Sequence, residues 1–349
     1  MYPTDSPDQI RLPFHVDDSP SSLQVLDLFA GIGGLSMGFR DAGFAVTGVD
    51  SEDISARVFE LNAVGEHVVL DLATGLELRD VPVVIGGPPC RPWSAVNLQR
   101  RGADHNDHML LERFFVHLWE IRPEVFVMEN VPPIASDPEY TRLLNDMRRC
   151  GYSVASQILR YSHFGAATTR RRLFTVGFRN SVSHSADEFF RRLEKRHRPH
   201  STVRDAIEWL RSQPRGAIPD HEWSDVRTIQ KYADRYRTGQ YGWKQLGWDD
   251  PAPSFGSVSK TYILHPAAGD GDFPLRVLSV REVLSIMGFD RSFRFPEGAA
   301  LSTRYKMVAN AVSPVAAQVF AEVVREMITG EPSGHTSGEA VVHPHSETR

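Results

Sequence analysis

Val25-Leu26-Asp27-Leu28-Phe29 runs straight into Ala30-Gly31-Ile32-Gly33-Gly34, and this stretch decides the fold. A buried-strand pattern gives way to a glycine-rich turn, which opens a helical pattern over Leu35 to Ala42. Glycines at such a junction let a ligand approach backbone N–H groups at a helix start, which suits a nucleotide-type ligand. The dinucleotide fingerprint asks for a third glycine at position 36; this chain has Ser36, so a nicotinamide dehydrogenase fits poorly.

Further along the chain, Ala45 to Val49, Val81 to Ile85, Val125 to Met128 and Leu173 to Phe178 repeat the buried-strand pattern. Helical patterns at Met109 to Ile121 and Tyr140 to Cys150 stand between them. The alternation predicts an α/β fold with a doubly wound, mostly parallel sheet. After Phe178 it breaks into Arg-, His-, Trp-, Gly- and Pro-rich sequence lasting to about Pro274, the place of a second, smaller domain. Ala311 to Ile328 then reads as one amphipathic helix that completes the first domain. Residues 1–22 and 330–349 are too polar and proline-rich to bury a core and read as disordered tails.

With 41% hydrophobic and 24% charged residues over 349 positions, the chain has the balance of a folded globular protein, not of a disordered or fibrous one. No run approaches the roughly 20 apolar residues that span a bilayer, and the N-terminus lacks the basic start and apolar stretch of a signal peptide. A cytoplasmic protein with no membrane partner is therefore expected. Cys90 and Cys150 are too few for a disulfide framework or a four-cysteine zinc site, so a cysteine that matters acts alone as a thiol. A net charge of −5, taken alone, argues against a polyanionic partner.

Three acids end successive strands. Asp50 closes Val46 to Val49, Asp71 follows Val68-Val69-Leu70, and Glu129 follows Phe126-Val127-Met128. An acid in the position of Asp50 can accept hydrogen bonds from both ribose hydroxyls. Gly86-Gly87-Pro88-Pro89-Cys90-Arg91-Pro92 sets a cysteine on a proline-stiffened loop at the same sheet edge, which makes Cys90 a nucleophile candidate. Glu129 beside it suits an acid or a hydrogen-bond partner for a heterocycle. In Thr169-Arg170-Arg171-Arg172, strand alternation aims Arg170 and Arg172 to one side. His105 and His108 lie three apart, but no second cluster supplies further ligands, so no metal site is expected.

These motifs resemble, in order, those of the C5-cytosine DNA methyltransferases: Phe29-Ala30-Gly31-Ile32-Gly33, Pro88-Pro89-Cys90, Glu129-Asn130-Val131, Arg170-Arg171-Arg172, Arg281-Glu282 with Gly288-Phe289, and Asn310-Ala311-Val312. The resemblance spans Val25 to about Thr329. It implies a Rossmann-like catalytic domain formed by 23–178 and 304–329, and a target-recognition domain over 179–303. It implies S-adenosyl-L-methionine as cofactor, S-adenosyl-L-homocysteine as product, and no metal. Phe29, Ala30, Gly31, Ile32 and Gly33 would line the methionine and adenosine, Asp50 with Ser51 would hold the ribose, and Asp71 with Leu72 would meet the adenine. Pro89 and Met109 would line the pocket, and Asn310 with Val312 would close it.

The resemblance also implies the reaction. Cys90 would add to cytosine C6, Glu129 would engage N3 and the amino group, Arg172 would bind the base's O2, Arg170 would support the loop, and Pro88, Asn130 and Val131 would support the site. The substrate would be a cytosine flipped out of double-stranded DNA. The setting would be a prokaryotic restriction-modification or solitary system, with a cognate restriction endonuclease as a further partner and a nucleoid-associated monomer as the enzyme. A tRNA cytosine-5 methyltransferase and a catalytically silent DNA-binding homologue are the competing readings. Arg91, Trp93, Thr168, Ala309 and Ser313 depart from the family's usual residues.

The charge is unevenly spread. Between Arg160 and Arg215 stand 13 Lys or Arg against 5 acids, so the basic excess begins at the arginine motif and runs into the expected recognition domain. This distribution suggests a DNA-facing cleft on an acidic body, with binding that weakens steeply as salt rises.

Overall fold

The computed structural model describes residues 10–11, 23–73, 76–77, 81–89, 106–225, 229–238, 244–255 and 263–331. Cys90, Arg91, Trp93, His105, Trp243 and nearly all of both expected tails lie outside the described residues. Within the N-terminal stretch, β1 (Ile10–Arg11) pairs in parallel with β5 (Leu76–Glu77), so part of the expected tail is strand.

The central sheet is built from β2 (Gln24–Leu28), β3 (Ala45–Asp50), β4 (Glu66–Val69), β6 (Val83–Gly86), β7 (Val125–Asn130), β8 (Tyr152–Arg160) and β9 (Arg171–Arg179). Its order is β4-β3-β2-β6-β7-β9-β8, parallel through β7 and antiparallel over the last two strands. The chain builds outward from β2 in one direction and resumes at β6 in the other, so the crevice between the carboxyl ends of β2 and β6 is the switch point where ligands bind in open α/β sheets.

Side-chain alternation sorts the strands onto two buried layers. Val25, Val83, Ile85, Val125 and Val127 face a layer that holds α1 (Gly34–Asp41), α2 (Asp53–Leu61) and the C-terminal helix. Leu26, Leu28, Val84, Phe126 and Met128 face α3 (Asn106–Ile121) and α4 (Pro138–Arg149). The doubly wound sheet is as the sequence predicts. β8 was not expected: its Ser153, Ser156 and Gln157 give no continuous apolar run, because an antiparallel edge strand faces solvent on one side.

Past β9 the packing does not stop at residue 178. In α5 (Ala186–Glu194) and α6 (Val203–Ile207), Phe189, Leu193, Val203 and Ile207 are buried in the same layer as the sheet. A separate small cluster forms where α7 (Ala233–Thr238) and the strands β10 (Lys244–Gln245) and β11 (Ile263–Leu264) meet, around Ile229, Tyr236, Leu264 and Val277. Of the tryptophans, Trp209 and Trp248 pack against the main core and Trp223 against the small cluster.

α8 (Val280–Ile286) begins in a capping box, with Ser279 and Glu282 satisfying each other's backbone N–H groups. The Arg281-Glu282 pair sits inside the protein. Arg281 Nε donates to the Pro219 carbonyl at 3.0 Å, while Glu282 takes Arg276 Nη1 and Nη2 at 2.8 and 2.7 Å. Arg276 is in turn sandwiched between the rings of Trp223 and Phe273, at 4.3 and 5.0 Å from their centroids.

The C-terminal helix expected over 311–328 is one helix that begins three residues later, and a second helix that was not expected precedes it. α9 (Leu301–Asn310) ends before an extended Ala311, and α10 (Pro314–Thr329) starts afresh with Ser313 as N-cap and Pro314 in the first turn. Proline disfavours helix in the residue before it, and a serine hydroxyl caps the next N–H groups, so the sequence itself breaks the helix. The Leu301–Thr329 stretch is apolar enough to cross a membrane by composition, but 67% of its most apolar window is buried inside the protein.

Candidate active site

The crevice at the switch point holds a cavity of about 390 Å³, the size of a small-molecule site. Its floor is the turn after β2. Phe29 takes a left-handed backbone (φ 63°), a conformation that costs a non-glycine residue about 1–3 kcal/mol and concentrates at functional sites. The Ala30 N–H holds the turn to the Val49 carbonyl at 3.1 Å. Gly33 caps α1 at φ 77°, where only glycine is unstrained. A Cβ on Gly34 would stand 2.2 Å from the Val312 carbonyl oxygen, so this position must be glycine for the C-terminal segment to close the cavity.

Asp50 does two things. Its Oδ2 accepts the Gly31 N–H at 2.9 Å and its Oδ1 accepts the Glu52 N–H at 2.9 Å, which fixes both lips of the cavity while each oxygen keeps a lone pair for a ligand hydroxyl. Asp71 and Leu72 form the far wall, where His117 Nε2 donates to the Leu72 carbonyl at 3.1 Å from behind.

At the reacting end, Glu129 and Asn130 finish β7. Glu129 is 7% exposed, and Arg172 Nε lies 2.8 Å from its Oε1. Burial pushes the Glu129 carboxyl above the usual range, while the guanidinium groups of Arg172 and Arg170 pull it back. Asn130 Nδ2 donates to the Pro88 carbonyl at 3.2 Å, tying the acid's strand to the loop that leads through Pro89 into Cys90. Arg170 is 1% exposed and donates from Nη1 to the Phe255 carbonyl at 3.3 Å, so it links the cavity to the variable segment. Thr168, a departure from the family pattern, is buried, and its Oγ1 donates to the Pro253 carbonyl while Thr169 N donates to that of Ala252.

Most of the residues singled out from the sequence line this one cavity: Phe29, Ala30, Gly31, Ile32, Asp50, Ser51, Asp71, Leu72, Pro88, Pro89, Glu129, Asn130, Val131, Arg170, Arg172, Asn310 and Val312. Two do not. Gly33 shapes the turn from behind, with Phe59 and Val64 where its side chain would be. Met109 is 45% exposed, and the α3 residue that lines the cavity is Leu110, about 100° further around the helix.

Several lining residues had not been anticipated. Asp27 lies at the back, 1% exposed, with Ser36 Oγ donating to its Oδ2 at 2.6 Å; burial pushes its carboxyl up to about 7. α9 contributes Thr303, Lys306 and Met307 besides Asn310, the spacing of one helix face, and that spacing counted back from Asn310 was the available signal.

Comparison with known proteins places this geometry. The family model described as C-5 cytosine-specific DNA methylase matches residues 23–326. The chain belongs to this family. It is similar to the Type II methyltransferase M.FnuDI of Fusobacterium nucleatum, with 28% identity covering 88% of this chain and 95% of that protein. Similarity to the Type II methyltransferase M.MthTI of Methanothermobacter thermautotrophicus is 29%, over 88% and 99%. The fold matches the crystal structure of the S. pombe Dnmt2 methyltransferase with a TM-score of 0.65 at 17% identity, covering 88% of this chain and 98% of that one.

Family membership makes this chain a DNA cytosine-5 methyltransferase of the S-adenosylmethionine-dependent kind. Part of its basic run is paired with acids in the fold. Arg179, Arg192, Arg196, Arg198, Arg204 and Arg215 stand in ion pairs with Glu124, Glu188, Glu326, Glu322, Asp249 and Asp225. Most of those acids lie outside the counted window, so the local excess counted along the chain is partly offset in the fold. Among the lining residues, the cations are Arg170, Arg172 and Lys306.

Proposed function

We propose that this methyltransferase transfers a methyl group to C5 of a cytosine flipped out of double-stranded DNA, with Cys90 as nucleophile and Glu129 and Arg172 as the groups that hold the base. One observation carries the reading: the Glu129–Arg172 pair, Arg170 and the loop entering Cys90 share a single cavity with Asp50 and Asp71. The donor set fits the cofactor. Carboxylates suit ribose hydroxyls and an adenine amino group, and a Cβ on Gly31 would meet nothing within 4 Å, so the backbone there is open to a ligand. When bound, S-adenosylmethionine supplies an electrophilic methyl group.

C5 of cytosine is a poor nucleophile, and addition of the Cys90 thiolate at C6 turns the ring into an enamine that can attack that methyl. Negative charge then develops at N3 and O2. Glu129, its carboxyl raised by burial, delivers or shares a proton at N3, and Arg172 meets O2. After transfer a base takes the C5 proton and Cys90 leaves. Arg170, held to Phe255, keeps the arginine strand in register with the variable segment. The Type II relatives support a restriction-modification setting with a cognate endonuclease, acting on cytoplasmic DNA.

The test is expression in a methylation-free host followed by bisulfite sequencing of genomic DNA, with tRNA assayed in parallel. Cytosines protected in one sequence context, and lost in Cys90→Ala, are expected. Methylation confined to tRNA, or persisting without Cys90, would overturn the reading.

A further inference from the structure

Tyr161 is a buried titratable group that the mechanism above does not use. It lies in the short turn between β8 and β9, and its side chain is fully buried. Both backbone groups are fixed: its N–H donates to the Arg170 carbonyl at 3.0 Å, and its carbonyl accepts the Phe164 N–H at 3.0 Å. Its ring packs against Phe174 at 6.3 Å between centroids. Phe174 is the cross-strand partner of Glu129. The phenol is thus set into the rear of the reacting end and cannot swing out to solvent.

Its hydroxyl is buried without a well-aligned partner, yet it stands close enough to the Glu129 carboxyl and the Arg170 guanidinium to act on both. Buried polar atoms are almost always satisfied, so such a group calls for an explanation in function. The charged groups that act on it are Glu129 from β7, Arg170 ahead of β9 and Arg172 within β9, the two proposed base-holding residues and the arginine that supports them. Glu129 faces a matching demand. Arg172 Nε is engaged with its Oε1, yet the same guanidinium is needed at O2 of a bound cytosine. Once Arg172 turns to the base, a buried carboxyl loses its nearest donor.

We propose that Tyr161 is a positioning residue for Glu129: its hydroxyl becomes the hydrogen-bond donor to the Glu129 carboxyl when Arg172 engages the base. The inference rests on the proposed role of Glu129. It makes Tyr161 act through that residue without touching the substrate, and it makes the donor exchange part of base capture. Held behind the carboxyl, the phenol fixes which oxygen faces N3.

The test is Tyr161→Phe in the full chain, which keeps the ring and removes only the hydroxyl. Binding of S-adenosylhomocysteine by calorimetry is expected to match the unmodified protein. Single-turnover methyl transfer to duplex DNA should fall roughly tenfold or more, and the alkaline limb of its pH profile should move to higher pH as Glu129 loses a donor that stabilises its ionised form. In Tyr161→Phe/Glu129→Gln, the loss should equal that of Glu129→Gln alone, since residues acting as a unit are not additive. Single-turnover rates and a pH limb unchanged in Tyr161→Phe would overturn the proposal, as would losses that multiply in the double variant. An unmodified protein that binds the homocysteine product but leaves cytosine in DNA unmethylated would instead overturn the role of Glu129, and this inference with it.

Discussion

Arg172 Nε and Glu129 Oε1 stand 2.8 Å apart with side chains 15% and 9% exposed, so the two groups proposed to hold the base are each other's partners in the structure. A buried carboxylate on its own is expensive, and a guanidinium beside it offsets part of that cost. The pair is therefore a stability element as well as part of the proposed site, and its share in stability can be read through pH.

Replacing Arg172 by Met leaves Glu129 buried without its first counter-charge. The raised Glu129 carboxyl then rises further, so the folded state holds its proton more tightly than the unfolded chain does. That contribution is present at low pH and lost as pH climbs through the folded-state value. Thermal melts should show little loss near pH 5 and a loss on the order of 2–4 kcal/mol near pH 8. Equal destabilisation at both pH values would show that the pair carries no titration-linked stability.

Asp27 gives a second pH signature. Its carboxyl, at about 7 in the fold against 3.8 as the ordinary value, contributes stability that is full at low pH and fades as pH rises toward and past 7. Asp27→Asn cannot titrate, so its urea stability should fall less than that of the unmodified protein between pH 5 and 8. Over that pH range the ceiling on the difference is roughly 3 kcal/mol. Parallel pH curves for the two proteins would rule out a protonated Asp27 behind the cavity.

Leu110 and Met109 are adjacent, and only Leu110 lines the cavity. Leu110→Ala should weaken S-adenosylhomocysteine binding about tenfold, close to 1.4 kcal/mol, whereas Met109→Ala should leave it within error. Calorimetric titration of both variants decides it; an effect confined to Met109→Ala would restore the family-based assignment.

Residues read well from sequence were those whose place follows from strand ends. Asp50, Asp71 and Glu129 close β-segments, and in a parallel sheet every strand ends at the same edge, so one-dimensional order was enough. Arg170 and Arg172 followed from alternation. Met109 was missed by a single residue because a family pattern fixes a segment but not the rotation of a helix, and one step turns a side chain through about 100°. Thr303, Lys306 and Met307 gave no signal beyond their spacing from Asn310, because α9 buries Tyr305, Val308 and Ala309 on its other face and its polar face reads like any solvated helix.

The basic run was legible only as a count. A count of charges along the chain cannot see that Arg196 and Arg198 fold back onto Glu326 and Glu322 of α10, more than a hundred positions away. Tyr161 offered no signal at all, because a lone tyrosine between Arg160 and Ser162 acquires meaning only when the sheet sets it beside Arg170.

The closure of the cavity by Asn310 and Val312 also sets a timetable for biosynthesis. Gly34 waits against a carbonyl that the ribosome adds almost three hundred codons later, so a growing chain has strands, acids and the thiol loop long before it has a finished pocket. We predict that a nascent chain arrested before α9 captures no S-adenosylhomocysteine, while one released after Thr329 does; capture by the shorter chain would refute this. A copy that stops before Val312 would thus hold the strands and acids of the site without the segment that closes it.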